Sequence, residues 1–276
     1  MSEGFIGASL PLSQPGVDVV TKLLNTGAAE VWTVVTVETK GFGFLPDRRP
    51  MILFERHIFH KQTGGKFDVH PDISSTKPGG YLGGAAEYDR LARAVALDRT
   101  AALSSSSWGL GQVMGFNFKS AGFESVDKLV AAMVESEDAQ LAAMASFLVA
   151  TGLKASLASR DWAAFAKGYN GPDYMKNQYD VHLAASYAKF SGFLPDLLVR
   201  QAQVLLTFLK LDPGGIDGAR MPPKIATCCA AHEISASASS RWFTKTWTTP
   251  ARRPGAAAQK SASQRLWAWT PAHRRS

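Results

Sequence analysis

From Ala85 to about residue 190 the chain places apolar residues at helical spacing almost without pause. Segments 86–103, about 109–118, 125–135, 136–150, 160–168 and 175–190 each read as a helix. So many consecutive helical segments can bury their apolar stripes only against one another. The expected fold class is therefore mainly α, a multi-helix globule. Upstream, helices are expected over Val17–Asn25 and about Ala28–Lys40. The second carries Val31, Trp32, Val34, Val35 and Val37, which gives it a buried look, and Gly41 and Gly43 stop it. Its β-branched residues leave it locally ambiguous with a strand. Ser125, Ser136 and Ser159 are placed to cap the helices that follow them. RPMILFERHIFHKQTGG reads as a short apolar element. Residues 64–84, rich in Gly, Pro, Ser and Asp, read as a long irregular loop of the kind that often carries function.

A break follows at SGFLP. LLVRQAQVLLTFLKLDPGGIDGA then reads as an amphipathic helix and a Gly-rich turn. After Ala219 the character changes. Residues 220–276 hold ten Lys/Arg against the single acid Glu233, so this tail carries the positive charge behind the chain's net +7. The body before it is close to neutral, and it contains no cysteine, since Cys228 and Cys229 both lie in the tail. A disulfide framework and a cysteine metal site in the body are thereby excluded. The tail shows no sustained periodicity and is expected to be poorly ordered. No run of 18 apolar residues suggests a membrane span. MSEGFIGASLPLSQPG has neither a basic start nor an apolar block, which reads against a Sec-type signal peptide.

Three stretches carry chemistry: TVETKGFGF (36–44), WGLGQVMG (108–115) and KGYNGPDY (167–174). Glu38 falls in the last turn of its helix, followed by Phe42 and Phe44. The helix C-terminus and apolar neighbours both disfavour the ionised carboxylate. A raised pKa suits an acid that protonates a leaving group near neutral pH. The glycines of the second stretch allow close backbone approach to a ligand. Gln112 offers an amide there, and Trp108 packs in the core or walls a cleft. Tyr169 and Asn170 sit at a turn.

In order, these stretches resemble the signature of goose-type lysozymes and soluble lytic transglycosylases. RPMILFERHIFHKQTGG, PDISS, GGYLGGAAEYDRLARAVALD, SSWGLGQVMG, AGFESVDKLVAAMVESEDAQLAAMASFL and DWAAFAKGYNGPDY are similar to the N-acetylmuramidase family of phage and prophage endolysins, over roughly residues 25–190. That resemblance implies a lysozyme-like fold with a substrate cleft. The activity it implies is hydrolysis of the β-1,4 bond between N-acetylmuramic acid and N-acetylglucosamine in peptidoglycan. It puts the catalytic glutamate at Glu38 and the cleft-edge glutamine at Gln112. It also puts the Tyr-Asn pair at Tyr169 and Asn170, with the Tyr169 hydroxyl free to hold the acid. Trp108 and Tyr81 complete the expected sugar-binding residues.

Glu55 is the rival acid, and Glu55, Asp68 and Asp72 are candidates for activating water. If none serves, the muramic 6-hydroxyl attacks and an anhydro product results. The family favours the hydrolase. His57 and His60 beside Glu55 lack the spacing of a zinc site, so no metal and no organic cofactor is expected. VRQAQVLLTFLKLDPGGIDGA resembles the opening of a small peptidoglycan-binding domain that stops being recognisable at Arg220. The expected organisation is a catalytic domain at 1–191, a remnant of that binding domain at 192–219, and a basic tail at 220–276 that is disordered or translated out of frame. Two other classes are an inactive wall-binding module, which the presence of Glu38 argues against, and nucleic-acid binding by the tail, which has no repeated motif. Peptidoglycan strands are the expected partner, with no nucleic acid. A monomer made in the cytoplasm and released by a holin is expected by family analogy.

Overall fold

The computed structural model describes residues 4–219. The expectations for the tail, including Cys228 and Cys229, fall outside the described residues. Within them the fold is mainly α, with one small sheet.

α1 (Gln14–Leu24) begins where Ser13 accepts the Gly16 N–H, with a proline in its first turn, where a missing N–H costs nothing. α2 (Ala28–Thr39) runs through the core. Val31, Trp32, Val34 and Val35 are all buried. A helix apolar on most of its faces needs neighbours on most of them, and that burial settles the helix-or-strand ambiguity. α2 stops at Lys40, which is left-handed (φ 60°), with its N–H returning to Thr36 O. Gly41 follows at φ 92°, a conformation that a side chain would strain. These local stops set Glu38 in the final turn.

The expected helix over 109–118 is instead the turn and second strand of a β-hairpin, followed by a 3-10 turn at Gly115–Asn117. β1 (Ile52–Phe54), β2 (Ser106–Trp108) and β3 (Val113–Met114) form an antiparallel sheet in that order, with Leu53 opposite Ser107 and Ser107 opposite Met114. Strands of two or three residues are too short to show alternation in a sequence. Gly109, at φ 65° in the turn, lies so close to Gln140 that an added Cβ would come within 2.6 Å of its side chain.

α3 (Arg56–Thr63) follows β1 directly. Residues 64–84 are irregular as expected, and two charged side chains hold them. Arg56 donates to the carbonyls of Pro71, Lys77 and Pro78, and Glu87 accepts from the N–H groups of Leu82 and Gly83. The expected helix over 86–103 is two, α4 (Glu87–Leu97) and α5 (Arg99–Ser104). Asp98 breaks it by leaving helical geometry and capping the Ala101 N–H. α6 (Val126–Glu135) and α7 (Glu137–Ala150) start at the caps Ser125 and Ser136. Ser159 is not a cap. It ends α8 (Lys154–Ser159), and Asp161 caps α9 (Trp162–Asn170). α10 (Tyr179–Gly192) packs along α2, with the rings of Trp32 and Phe190 6.3 Å apart.

α11 (Leu197–Phe208) sends Arg200 into the protein with no solvent exposure. Its guanidinium meets both oxygens of the equally buried Glu137 at 2.6 and 2.8 Å and donates to Gly41 O. Glu137 also accepts the N–H groups of Leu12 and Gly43. One ion pair therefore ties α11, α7, the N-terminal segment and the turn that follows Glu38. A boundary drawn between residues 191 and 192 cuts through this node.

Candidate active site

Six parts of the fold converge on one cavity of about 370 Å³. The end of α2 supplies Glu38, and the end of α9 supplies Tyr169, Asn170 and Gly171. The hairpin gives Gln112, Val113 and Met114, followed by Phe116 and Asn117. α3 gives His57, Ile58, His60, Lys61 and Gln62 along one wall. Thr76 and Phe147 complete the lining. Most of these side chains stand at the ends of helices or in turns, where a rigid scaffold can aim them into open space.

Glu38 is the one carboxylate lining the cavity among the described residues. Burial pushes its pKa up to about 7, and a hydrogen bond from Asn170 Nδ2 at 3.1 Å partly opposes that rise. The residue as a whole is half-buried, and it lines the cleft. The group is thus a neutral carboxylic acid over much of the range up to neutrality, within reach of whatever fills the cleft. The half-buried phenol of Tyr179, on α10, is raised first by desolvation and then by the neighbouring Glu38 charge.

The amide of Asn170 reaches the Glu38 carboxyl group. Tyr169 donates to Gly111 O and stacks on Phe165 at 5.4 Å, so it ties α9 to the hairpin. Gln112 lines the cleft, but its amide is spent on the protein. Ser107 donates to its Oε1 at 2.8 Å, and its Nε2 donates to Gly109 O and Met51 O at 2.9 and 3.3 Å. It also holds a left-handed backbone, φ 47°. Gln112 therefore shapes the floor. Gln112→Ala is expected to lower kcat about tenfold to hundredfold through misplacement of the floor, with little change in the fold by circular dichroism.

Trp108 is a correction: it is fully buried, and its Nε1 donates to Leu103 O at 3.0 Å, so it supports the hairpin from beneath and touches no sugar. Tyr81 does not line the cleft, and its hydroxyl donates to Glu55. Glu55 is fully buried behind the wall, with a pKa raised by burial against the lowering effect of His57 and Tyr81. It does not reach a substrate, so it is not the rival acid. Asp68 is held below the usual carboxylate range by hydrogen bonds from His60 and Ser74. For Asp72 the upward push of desolvation is outweighed by the hydrogen bond and charge of Arg93 together with lesser effects, and its carboxyl lies below the usual range. Neither lines the cavity. The cleft-lining residues that sequence reasoning did not place there include His57 and His60. Their signal was present as H-x-x-H, weighed there only as a metal pattern.

A family model described as N-acetylmuramidase matches residues 27–191. The chain belongs to this family. The N-acetylmuramidase match begins just before α2 and ends within α10, so it encloses every residue of the cleft. Among solved structures, the crystal structure of an endolysin from Burkholderia AP3 phage is 42% identical, with a TM-score of 0.60. The similarity covers 65% of this chain and 70% of that one. No curated protein matches. The N-acetylmuramidase is a glycoside hydrolase of the lysozyme-like type, and its substrate is peptidoglycan, at the β-1,4 bond between N-acetylmuramic acid and N-acetylglucosamine. No helix among the described residues is long and apolar enough to cross a membrane.

Proposed function

We propose that Glu38 is the general acid of this muramidase. The observation that carries the reading is its position as the one carboxylate lining the cleft among the described residues, protonated up to about pH 7 by desolvation. A glycan strand lying in the cavity presents its glycosidic oxygen to Glu38, which donates its proton as the C1–O bond breaks. Asn170 holds the carboxyl group, and its N–H stabilises the carboxylate left behind. Phe116, Met114 and Phe147 offer apolar surface to sugar faces, while Asn117, Gln62 and Lys61 offer polar groups to hydroxyls and N-acetyl groups. Mass spectrometry of digested peptidoglycan tests the reading. Fragments ending in reducing muramic acid are the expected result, and 1,6-anhydro ends would exclude water as the nucleophile.

The same reading places the enzyme's action on the wall in the periplasm, as a monomer released from the cytoplasm by a holin. Residues 192–219 are read as the remnant of a peptidoglycan-binding domain. In support, Gln203 brackets the turn of the motif, accepting from the N–H groups of Asp217 and Gly218 and donating to Asp217 and Ala219. Residues 220–276 are read as out of frame. Translation of the other two frames after codon 219 is expected to continue the peptidoglycan-binding sequence pattern, and the idea fails if neither frame does.

A further inference from the structure

Hydrolysis needs a group that takes a proton from the attacking water, and the cleft offers no second carboxylate among the described residues. It does offer an imidazole backed by one. His57 stands in the first turn of α3, where β1 ends, lines the cleft and is more than nine-tenths buried. Its Nδ1 lies 3.1 Å from Oε2 of the buried Glu55. The pair stands at hydrogen-bond distance with poor alignment of the ring nitrogen on that oxygen. Bonds of this kind often tighten only when substrate is bound. Glu55 is itself held by Tyr81, whose hydroxyl sits 3.0 and 2.9 Å from its two oxygens. A carboxylate behind Nδ1 keeps the proton there and leaves the lone pair on Nε2.

We propose that His57, oriented by Glu55, is the base that activates water in this cleft, and that the enzyme therefore inverts the anomeric centre. The inference rests on Glu38 being the acid. As Glu38 protonates the departing O4 of N-acetylglucosamine, the C1–O4 bond breaks. Water attacks C1 of the muramic sugar from the opposite face and gives its proton to His57 Nε2. The products are an α-configured reducing end, a Glu38 carboxylate and a His57 imidazolium. Exchange with solvent returns the proton balance. His60, with Nδ1 2.8 Å from Asp68, is a similar pair on the same wall, but its carboxylate side chain is 44% exposed. Solvent there weakens the orienting charge, so His57 is the stronger assignment.

The wild-type enzyme on a soluble muropeptide oligomer, followed by proton NMR before mutarotation, is expected to release the α-anomer. His57→Ala is expected to lose about 10²- to 10⁴-fold in kcat with KM little changed, and added azide is expected to restore turnover as an α-glycosyl azide. A β-anomer or an anhydro sugar overturns the assignment without any variant. So does a His57→Ala or His57→Gln enzyme that keeps kcat within threefold of wild type. Glu38→Gln, run alongside, separates the two readings. If it still cleaves, the acid is wrong. If it is dead while the product is β or anhydro, only His57 is wrong.

Discussion

Glu38→Gln is expected to lower kcat by about 10³-fold or more and, at alkaline pH, to make the protein more stable. The catalytic loss follows from removing the proton donor while keeping the shape of the side chain, since the amide oxygen still accepts from Asn170. The stability gain follows from linkage. The folded pKa of Glu38, about 7, lies above the unfolded value of about 4.5. The protonated acid therefore contributes stability that is full below about pH 4.5 and is lost as pH rises through about 7. The shift corresponds to at most about 3 kcal/mol, or up to about 10 °C in Tm for a domain of this size. Glutamine does not titrate, so the variant's advantage in Tm should grow between pH 5 and pH 8 and then level off. Scanning calorimetry at several pH values reads this directly. The wild-type kcat should fall with a basic limb near pH 7. A flat difference in Tm across that range would mean that Glu38 is well solvated, and the proposed acid would lose its physical basis.

Removing α11, or Arg200 alone, is expected to damage a domain to which the sequence does not assign them. Arg200→Met leaves Glu137 charged and buried, held only by the N–H groups of Leu12 and Gly43. An orphaned buried charge costs about 3–5 kcal/mol, or on the order of 10 °C in Tm. A chain cut after Ser191 loses the same partner together with the buried Val204 and Gln203, and should melt at least as early. Arg200→Met combined with Glu137→Gln should recover part of the loss, because the amide keeps one acceptor oxygen and carries no charge. Denaturant midpoints for the two single variants and the double variant close the cycle. A chain ending at Ser191 that matches the full chain in Tm would show that the ion pair contributes nothing. Arg200 also donates to Gly41 O, three residues beyond Glu38. Activity should therefore decline in Arg200→Met below its melting temperature.

The parts legible in the sequence are those written within one or two turns of helix. The stop after Glu38, the caps Ser125 and Ser136 and the apolar stripe of α2 are signals between residues at most four apart. They placed Glu38 at a helix end. The failures have local causes too. Asp98 breaks a stretch of continuous helical pattern because its side chain caps the next turn. The strands are shorter than the period that reveals a strand. Other features had no local signature at all. Trp108 looked like a cleft aromatic because the same Gly-rich turn serves a ligand or a buried indole equally well. Glu55, Asp68 and Asp72 were alike as exposed or buried carboxylates until their partners were known.

The sequence by itself determined that this chain is helical, that it belongs beside the muramidases, and that Glu38 ends a buried helix. Only the tertiary structure decided which polar groups face the cleft. It turned Glu55 inward behind His57, spent the Gln112 amide on the hairpin and joined Arg200 to a glutamate 63 residues away. The physical reason is that helix formation depends on neighbours along the chain. The direction of a charged side chain depends on where its counter-charge and its desolvation lie, and packing brings those together from distant segments.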